Sequence, residues 1–320
     1  MSADLKNSGY VTTHTPEMRT MTIADDLSLL VQNHDDAPLA AADELRRLAK
    51  LDVPSDQLSR FAWLVDHVIG EKQGAWAEAY GLIKQAIESH ETLQLPVLRY
   101  AAVAAHLGGY LPAGIALERR MMRESLSGDQ ASTAVRSGAL SFGVTPENAV
   151  DICASLLSIV ESVSRWSEPS GVDSLVAGSL NNIVSALLEQ DRETVGHADV
   201  SAAMIMAAEA ARTLWYRAGT WVNQERADYL CALVFNRLGD YVKALDAAER
   251  GQQVIETRGS EDVDRAFLIL ESARALIGLS RRADATERLR CATAITSGWD
   301  DDALKSAFDK KAQLICNLID

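Results

Sequence analysis

A motif of Gly, an aromatic two residues later and small apolar residues at the following helical turns recurs along this chain, and its spacing constrains the fold more than any other feature. It is clearest in "RLGDYVKALDAAERG", which places Gly239, Tyr241, Ala244, Ala248 and Gly251 in order. The same offsets hold Gly74, Trp76, Ala79, Ile83 and Ala86, and again Gly108, Tyr110, Ala113, Leu117 and Arg120. A fourth copy keeps Ala285, Leu289 and Ala292 but has Ser280 in the Gly place and Arg282 in the aromatic place. Weaker copies fall at Ala149, Cys153 and Leu156 and at Ala203, Ala207 and Ala210. The anchor alanines 79, 113, 149, 203, 244 and 285 are thus spaced 34, 36, 54, 41 and 41 residues apart.

Each part of the motif has a physical task. Gly ends one helix in the left-handed conformation that a Cβ disfavours, and a residue such as Asp240 caps the next. Alanines one turn apart let the second helix approach the first closely, and the aromatic fills the elbow between them. The motif therefore predicts helical hairpins. Composition agrees: the 320 residues are 48% apolar with only 6% aromatic, 19 Gly and 7 Pro, and helix formers dominate nearly every window. The class expected is all-α, with fifteen helices from residue 22 to residue 318; among them are continuous helices at 56–71 and at 146–164, the latter signalled by Thr145-Pro146-Glu147.

These residues resemble the tetratricopeptide repeat (TPR), a helix-turn-helix unit of about 34 residues, and the likeness covers roughly residues 40–300. The resemblance implies a right-handed superhelix of stacked antiparallel hairpins, a TPR-like α-solenoid, whose first helices line a concave groove. Units near 41 residues imply helices about one turn longer than in the family. The 54-residue interval requires loops, and "SRWSEPSGVDS" (164–174) and "EQDRETVGHAD" (189–199) supply them. We therefore expect a disordered tail over 1–21, N-terminal repeats over 22–163, and C-terminal repeats over 164–320. The last helix is expected to close the stack with Leu304, Phe308, Leu314 and Ile315.

Carrying the repeat pattern over residue by residue places Arg99 and His106, then Arg226, Tyr229, Asn236 and Arg237, and then Arg274 on the groove, with Asn181 and Asn182 joining them. Arginines and amides there suit a peptide's carboxylates or main chain. Repeat proteins that dock chaperone C-termini use a Lys and Asn clamp, but Leu64, Leu98, Tyr229 and Leu270 hold its main position here. That particular activity is not implied. A second resemblance is to peptide-sensing bacterial regulators, whose DNA-binding helices have no counterpart in residues 1–40.

The remaining composition argues by exclusion. A net charge of −14, from 45 acidic against 31 basic residues, opposes nucleic-acid binding. No segment has the length and apolarity of a membrane span, and the four cysteines (153, 231, 291 and 316), expected to be buried thiols, form no CxxC pair. A cytoplasmic location is the expectation. Phosphate loops, nucleophile elbows and HExxH are absent, and no two of the six His lie at helical spacing, so no catalytic residue, cofactor or metal is expected. Trp215, Tyr216 and Trp221 form the densest aromatic cluster, expected to pack an elbow, and Trp63, Trp76 and Tyr110 are expected in the core. The function that follows is non-enzymatic: a sensor or adaptor binding a peptide or protein partner in its groove. Two alternatives stand beside it: a small-molecule-binding or catalytic helical domain with its pocket in residues 164–221, and a structural subunit forming a homo-oligomer through exposed helix faces.

Overall fold

The computed structural model describes residues 22–318; the tail expected over 1–21 lies outside them. The described residues form sixteen α-helices and no strand. In order these are α1 (Ile23–Asn33), α2 (Pro38–Leu48), α3 (Leu58–Val65), α4 (Trp76–Ile87), α5 (Leu95–Leu107), α6 (Leu111–Arg123), α7 (Gly128–Ser141) and α8 (Cys153–Ser164). Then follow α9 (Asp173–Leu188), α10 (Arg192–Gly196), α11 (Ala198–Ala218), α12 (Trp221–Leu238), α13 (Tyr241–Arg258), α14 (Asp262–Gly278), α15 (Arg282–Thr296) and α16 (Asp302–Cys316). A π-helical turn, Asp66–Glu71, continues α3.

Local chemistry sets the helix ends. Thr22 with Asp25 and Ser127 with Gln130 form reciprocal capping boxes, and prolines occupy the first turns of α2, α5 and α6. Gly239 ends α12 at φ +82°, and Asp240 accepts from the Lys243 amide to start α13. In the second clear copy the left-handed residue is Gly109 and not Gly108. Ser280, where the fourth copy lacks Gly, adopts the same conformation at φ +61°. A side chain there costs about 1 kcal/mol, so Ser280→Gly is expected to raise the stability by about that amount in urea denaturation.

Two helices differ from expectation. The one expected from 146 begins only at Cys153, because the Asn148 side chain competes for the backbone: its Oδ1 accepts from the Thr145 amide at 2.9 Å and its Nδ2 donates to the Gly143 carbonyl at 2.6 Å. The 56–71 helix starts at Leu58 and widens into the π-helical turn, where Gly70 leaves space for the Trp76 ring.

Small residues on the second helices permit close approach. On α13 the buried stripe is Ala244, Ala248, Gly251 and Ile255, and on α15 it is Ala285, Leu289 and Ala292. In α6 the stripe is Gly114, Leu117 and Met121, and Ala113 stands beside it. The elbow aromatics Trp76 and Tyr241 lie against Gly70 and Gly278, but Tyr110, expected in the core, is exposed and rests on Tyr80. Cys153 and Cys231 are buried, whereas Cys316 is exposed and Cys291 half-buried, because both sit off the buried faces of α15 and α16. On α16, Phe308 and Ile315 are buried and Leu314 turns outward.

Beyond pairing with its neighbour in sequence, every second helix meets the next of its kind. α1 touches α3, α3 touches α5, α5 touches α7, α7 touches α9, α9 touches α12, α12 touches α14 and α14 touches α16. One apolar core runs from Leu27 to Ala275, and a smaller cluster around Phe267, Trp299 and Phe308 joins α14, α15 and α16. No helix among the described residues is long and apolar enough to cross a membrane.

Candidate functional site

The row α3–α5–α7–α9–α12–α14 carries two adjoining cavities of about 490 Å³ each. They share Ser185 and Glu189, both on the face of α9 or its C-terminal edge. A helix face of large apolar residues would fill this space. α9 instead presents Ser174, Gly178, Asn182 and Ser185 along one stripe, at steps of four, four and three residues, and Gly178 contributes no side chain at all. The first cavity is walled by Trp63 of α3, Tyr100 of α5 and Phe142 after α7, and the second by Leu233 and Arg237 of α12 and Arg274 of α14.

Of the groove residues named from the sequence, Arg99, Asn182, Arg237 and Arg274 line these cavities. The other five lie elsewhere. His106 hydrogen-bonds Glu118 at 2.6 Å inside the α5–α6 pair, with its ring over Gly114. Asn181 is half-buried, its Oδ1 without a partner. Arg226 donates to Asp264 at 2.8 Å beside the buried Glu225, whose carboxyl is pushed up to about 9 by burial and by the Asp264 charge. Tyr229 and Asn236 belong to a cluster tied to α16: Asn236 donates to the Glu271 carboxylate at 2.7 Å, Lys311 pairs with it at 2.6 Å, and Lys311 donates to the Tyr229 hydroxyl at 2.8 Å. Residues on other helices consume His106, Arg226, Tyr229 and Asn236, which a repeat register does not reveal.

The cavity arginines differ from most others in the protein. Arg46, Arg47, Arg217, Arg226, Arg250 and Arg288, among others, each pair with a carboxylate. Among the described residues, Arg99, Arg237 and Arg274 form no ion pair, as is also true of Arg60, Arg120 and Arg136, but these three line the cavities. Arg99 is buried, donates from Nε to the Ala134 carbonyl at 3.1 Å, and holds Ser179 through Nη2. The carboxyl whose field reaches it, Asp66, is fully buried, and burial pushes the Asp66 pKa up and the Arg99 pKa down. Arg237 donates to the Gln190 carbonyl at 3.0 Å and its buried Nε has no acceptor.

No protein-family model matches the chain, and no curated protein matches it by sequence. The site is therefore interpreted from its own chemistry. It offers three guanidinium groups, the carboxylates of Glu71 and Glu189, a row of small hydroxyls and an aromatic wall, in a protein whose net charge is −14. Guanidinium groups of this kind are chemically suited to carboxylates, and the aromatic wall to an apolar side chain.

A third cavity, of about 270 Å³, lies between α8 and α11. Glu209 and Arg217 are its charged groups, and Arg217 is already committed to the buried Asp173 at 2.6 Å and the Trp166 carbonyl at 3.0 Å. Trp215, Tyr216 and Trp221 do not gather there: Trp215 and Trp221 pack against Gly219 and Gly259, and the Tyr216 hydroxyl donates to Asp228 at 2.5 Å. Trp215 thus packs on the end of its own helix, while Tyr216 joins α11 to α12 and Trp221 joins α12 to the end of α13.

Proposed function

We propose that this is a non-enzymatic, TPR-like helical-repeat protein that binds an extended acidic peptide or protein segment along the row of first helices, as a sensor or adaptor. The right-handed superhelix expected from the resemblance belongs to the same proposal, supported by the unbroken succession of contacts from α1 to α16. The observation that carries the binding reading is the set of three arginines without ion pairs facing two contiguous cavities. Two of them, Arg237 and Arg274, share one cavity with Leu188 and Leu233, and the first cavity adds an aromatic wall for an apolar side chain. The acidic remainder of the surface repels carboxylates, so the groove gives local selectivity for an acidic segment.

Selection of displayed peptides on the full chain tests this. Acidic sequences containing an apolar residue should be enriched. Replacing Arg237 and Arg274 together with Ala should weaken their binding by about tenfold or more at low salt and by less at high salt, since the lost interactions are screened charges. The melting temperature should move little, because neither arginine completes an ion pair. Enrichment of basic peptides, or affinity unchanged in the double variant, contradicts the reading.

A further inference from the structure

We propose that His34, Asp35 and His67 form a binding site for a divalent transition-metal ion at the rim of the first cavity, which His67 lines. The proposal is independent of peptide binding. It also departs from the sequence expectation of no metal site, which rested on the absence of helically spaced His pairs. The fold supplies the pair instead: His34 ends α1 and His67 stands in the π-helical turn.

The donor atoms of the three residues all lie within 4.8 Å of one another. The Nε2 atoms of His34 and His67 are 3.7 and 3.8 Å from the same Asp35 Oδ1. Ligands about 2.0–2.1 Å from a shared ion stand about 3.3 Å apart, so each histidine-to-carboxylate distance must close by about half an ångström, and the three side chains leave a fourth position open.

Hydrogen bonds fix both imidazoles in the metal-binding tautomer. His34 Nδ1 lies 3.0 and 2.9 Å from the carbonyls of Leu30 and Val31, which only accept, so Nδ1 carries the hydrogen and Nε2 keeps its lone pair. His67 Nδ1 lies 2.5 Å from Glu71 Oε2 and likewise donates, which leaves its Nε2 free. A carboxylate behind the ring is the usual support of a metal-bound imidazole. Trp63 holds both rings in place, parallel to His67 at 5.8 Å between centroids and edge-on to His34 at 5.6 Å.

A cation already sits at this position, for the Lys72 ammonium contacts Asp35 Oδ1. It is a single charge on a flexible stem, and an ion held by two imidazoles displaces it. Two nitrogens and one carboxylate suit Zn²⁺, Ni²⁺ or Co²⁺, whereas Mg²⁺ and Ca²⁺ prefer oxygen throughout.

Calorimetric titration of Zn²⁺ into the tag-free full chain, with Trp fluorescence under Ni²⁺ in parallel, tests the assignment. One equivalent should bind, and Mg²⁺ should not compete. His67→Ala and Asp35→Ala should each weaken binding by about tenfold or more, and Glu71→Gln by about tenfold. Lys72→Ala should tighten it severalfold, a gain that loss of folding cannot imitate. Absence of stoichiometric binding by both the parent and Lys72→Ala overturns the proposal. Binding that is indifferent to His67→Ala does so too, since the ion would then belong to another histidine.

Discussion

Lys311→Met is expected to destabilise the protein by about 3 kcal/mol in urea denaturation. The reason is the position of Glu271, whose carboxylate is wholly buried on α14 and receives Lys311 of α16 at 2.6 Å and Asn236 of α12 at 2.7 Å. Removing one partner of a buried ion pair strands the other charge, at a cost usually greater than the pair itself contributes. Met retains most of the aliphatic stem and loses the ammonium, which lies 5.1 and 5.7 Å from the Tyr229 and Phe267 ring centroids, so the loss reports the charge. Adding Glu271→Gln to Lys311→Met should recover much of the stability, because a neutral amide is far less costly to bury. Burial alone would lower the pKa of Lys311, but the Glu271 charge and the Tyr229 hydroxyl outweigh it and the net shift is upward. The contribution of this clasp is therefore fully present below the ordinary lysine range and is lost as pH rises through the elevated value. If Lys311→Met unfolds at the same denaturant concentration as the parent, α16 is not clasped to the stack.

Gly251→Leu should cost about 1–3 kcal/mol, although replacing Gly inside a helix ordinarily stabilises it. A Cβ at this position would stand 2.8 and 3.0 Å from the Leu268 methyls and 3.3 Å from the Glu225 carbonyl. The first two contacts force Leu268 off its rotamer, and the third is against backbone, which cannot give way cheaply. Gly81 is the internal control, since a Cβ there meets nothing within 4 Å. Gly81→Leu should be neutral or slightly stabilising. Equal effects at the two glycines would mean that α13 and α14 do not approach as closely as described.

Local signals made most of the helices legible. Gly239, Asp240, the first-turn prolines and the alanine stripes each act within a few residues, so the sequence carries them directly. Asn148 defeated the expected start at 146 because a side-chain competitor for backbone groups looks like any other polar residue near a Pro. The site was legible only in part. Arg99, Asn182, Arg237 and Arg274 follow from the repeat register, while His106, Arg226, Tyr229 and Asn236 share that register but are taken by Glu118, Asp264, Lys311 and Glu271. The stripe of Ser174, Gly178, Asn182 and Ser185 was readable in principle, as small and polar residues at helical spacing within an apolar helix. The approach of His34 to His67 was not, because it depends on how α1 lies against α3 and the π-helical turn.

The central claim, that a partner lies along the row of first helices, is tested most directly by placing a photo-crosslinking amino acid at Ser185, which borders both cavities, and separately at Val242 on the exposed face of α13. With an acidic peptide selected on the full chain, irradiation should yield a covalent adduct at position 185, none at 242, and a reduced yield at 185 when Arg237 and Arg274 are both Ala. An adduct at 242, or one at 185 that persists undiminished without the two arginines, would place the partner on another surface or another chemistry and contradict the account.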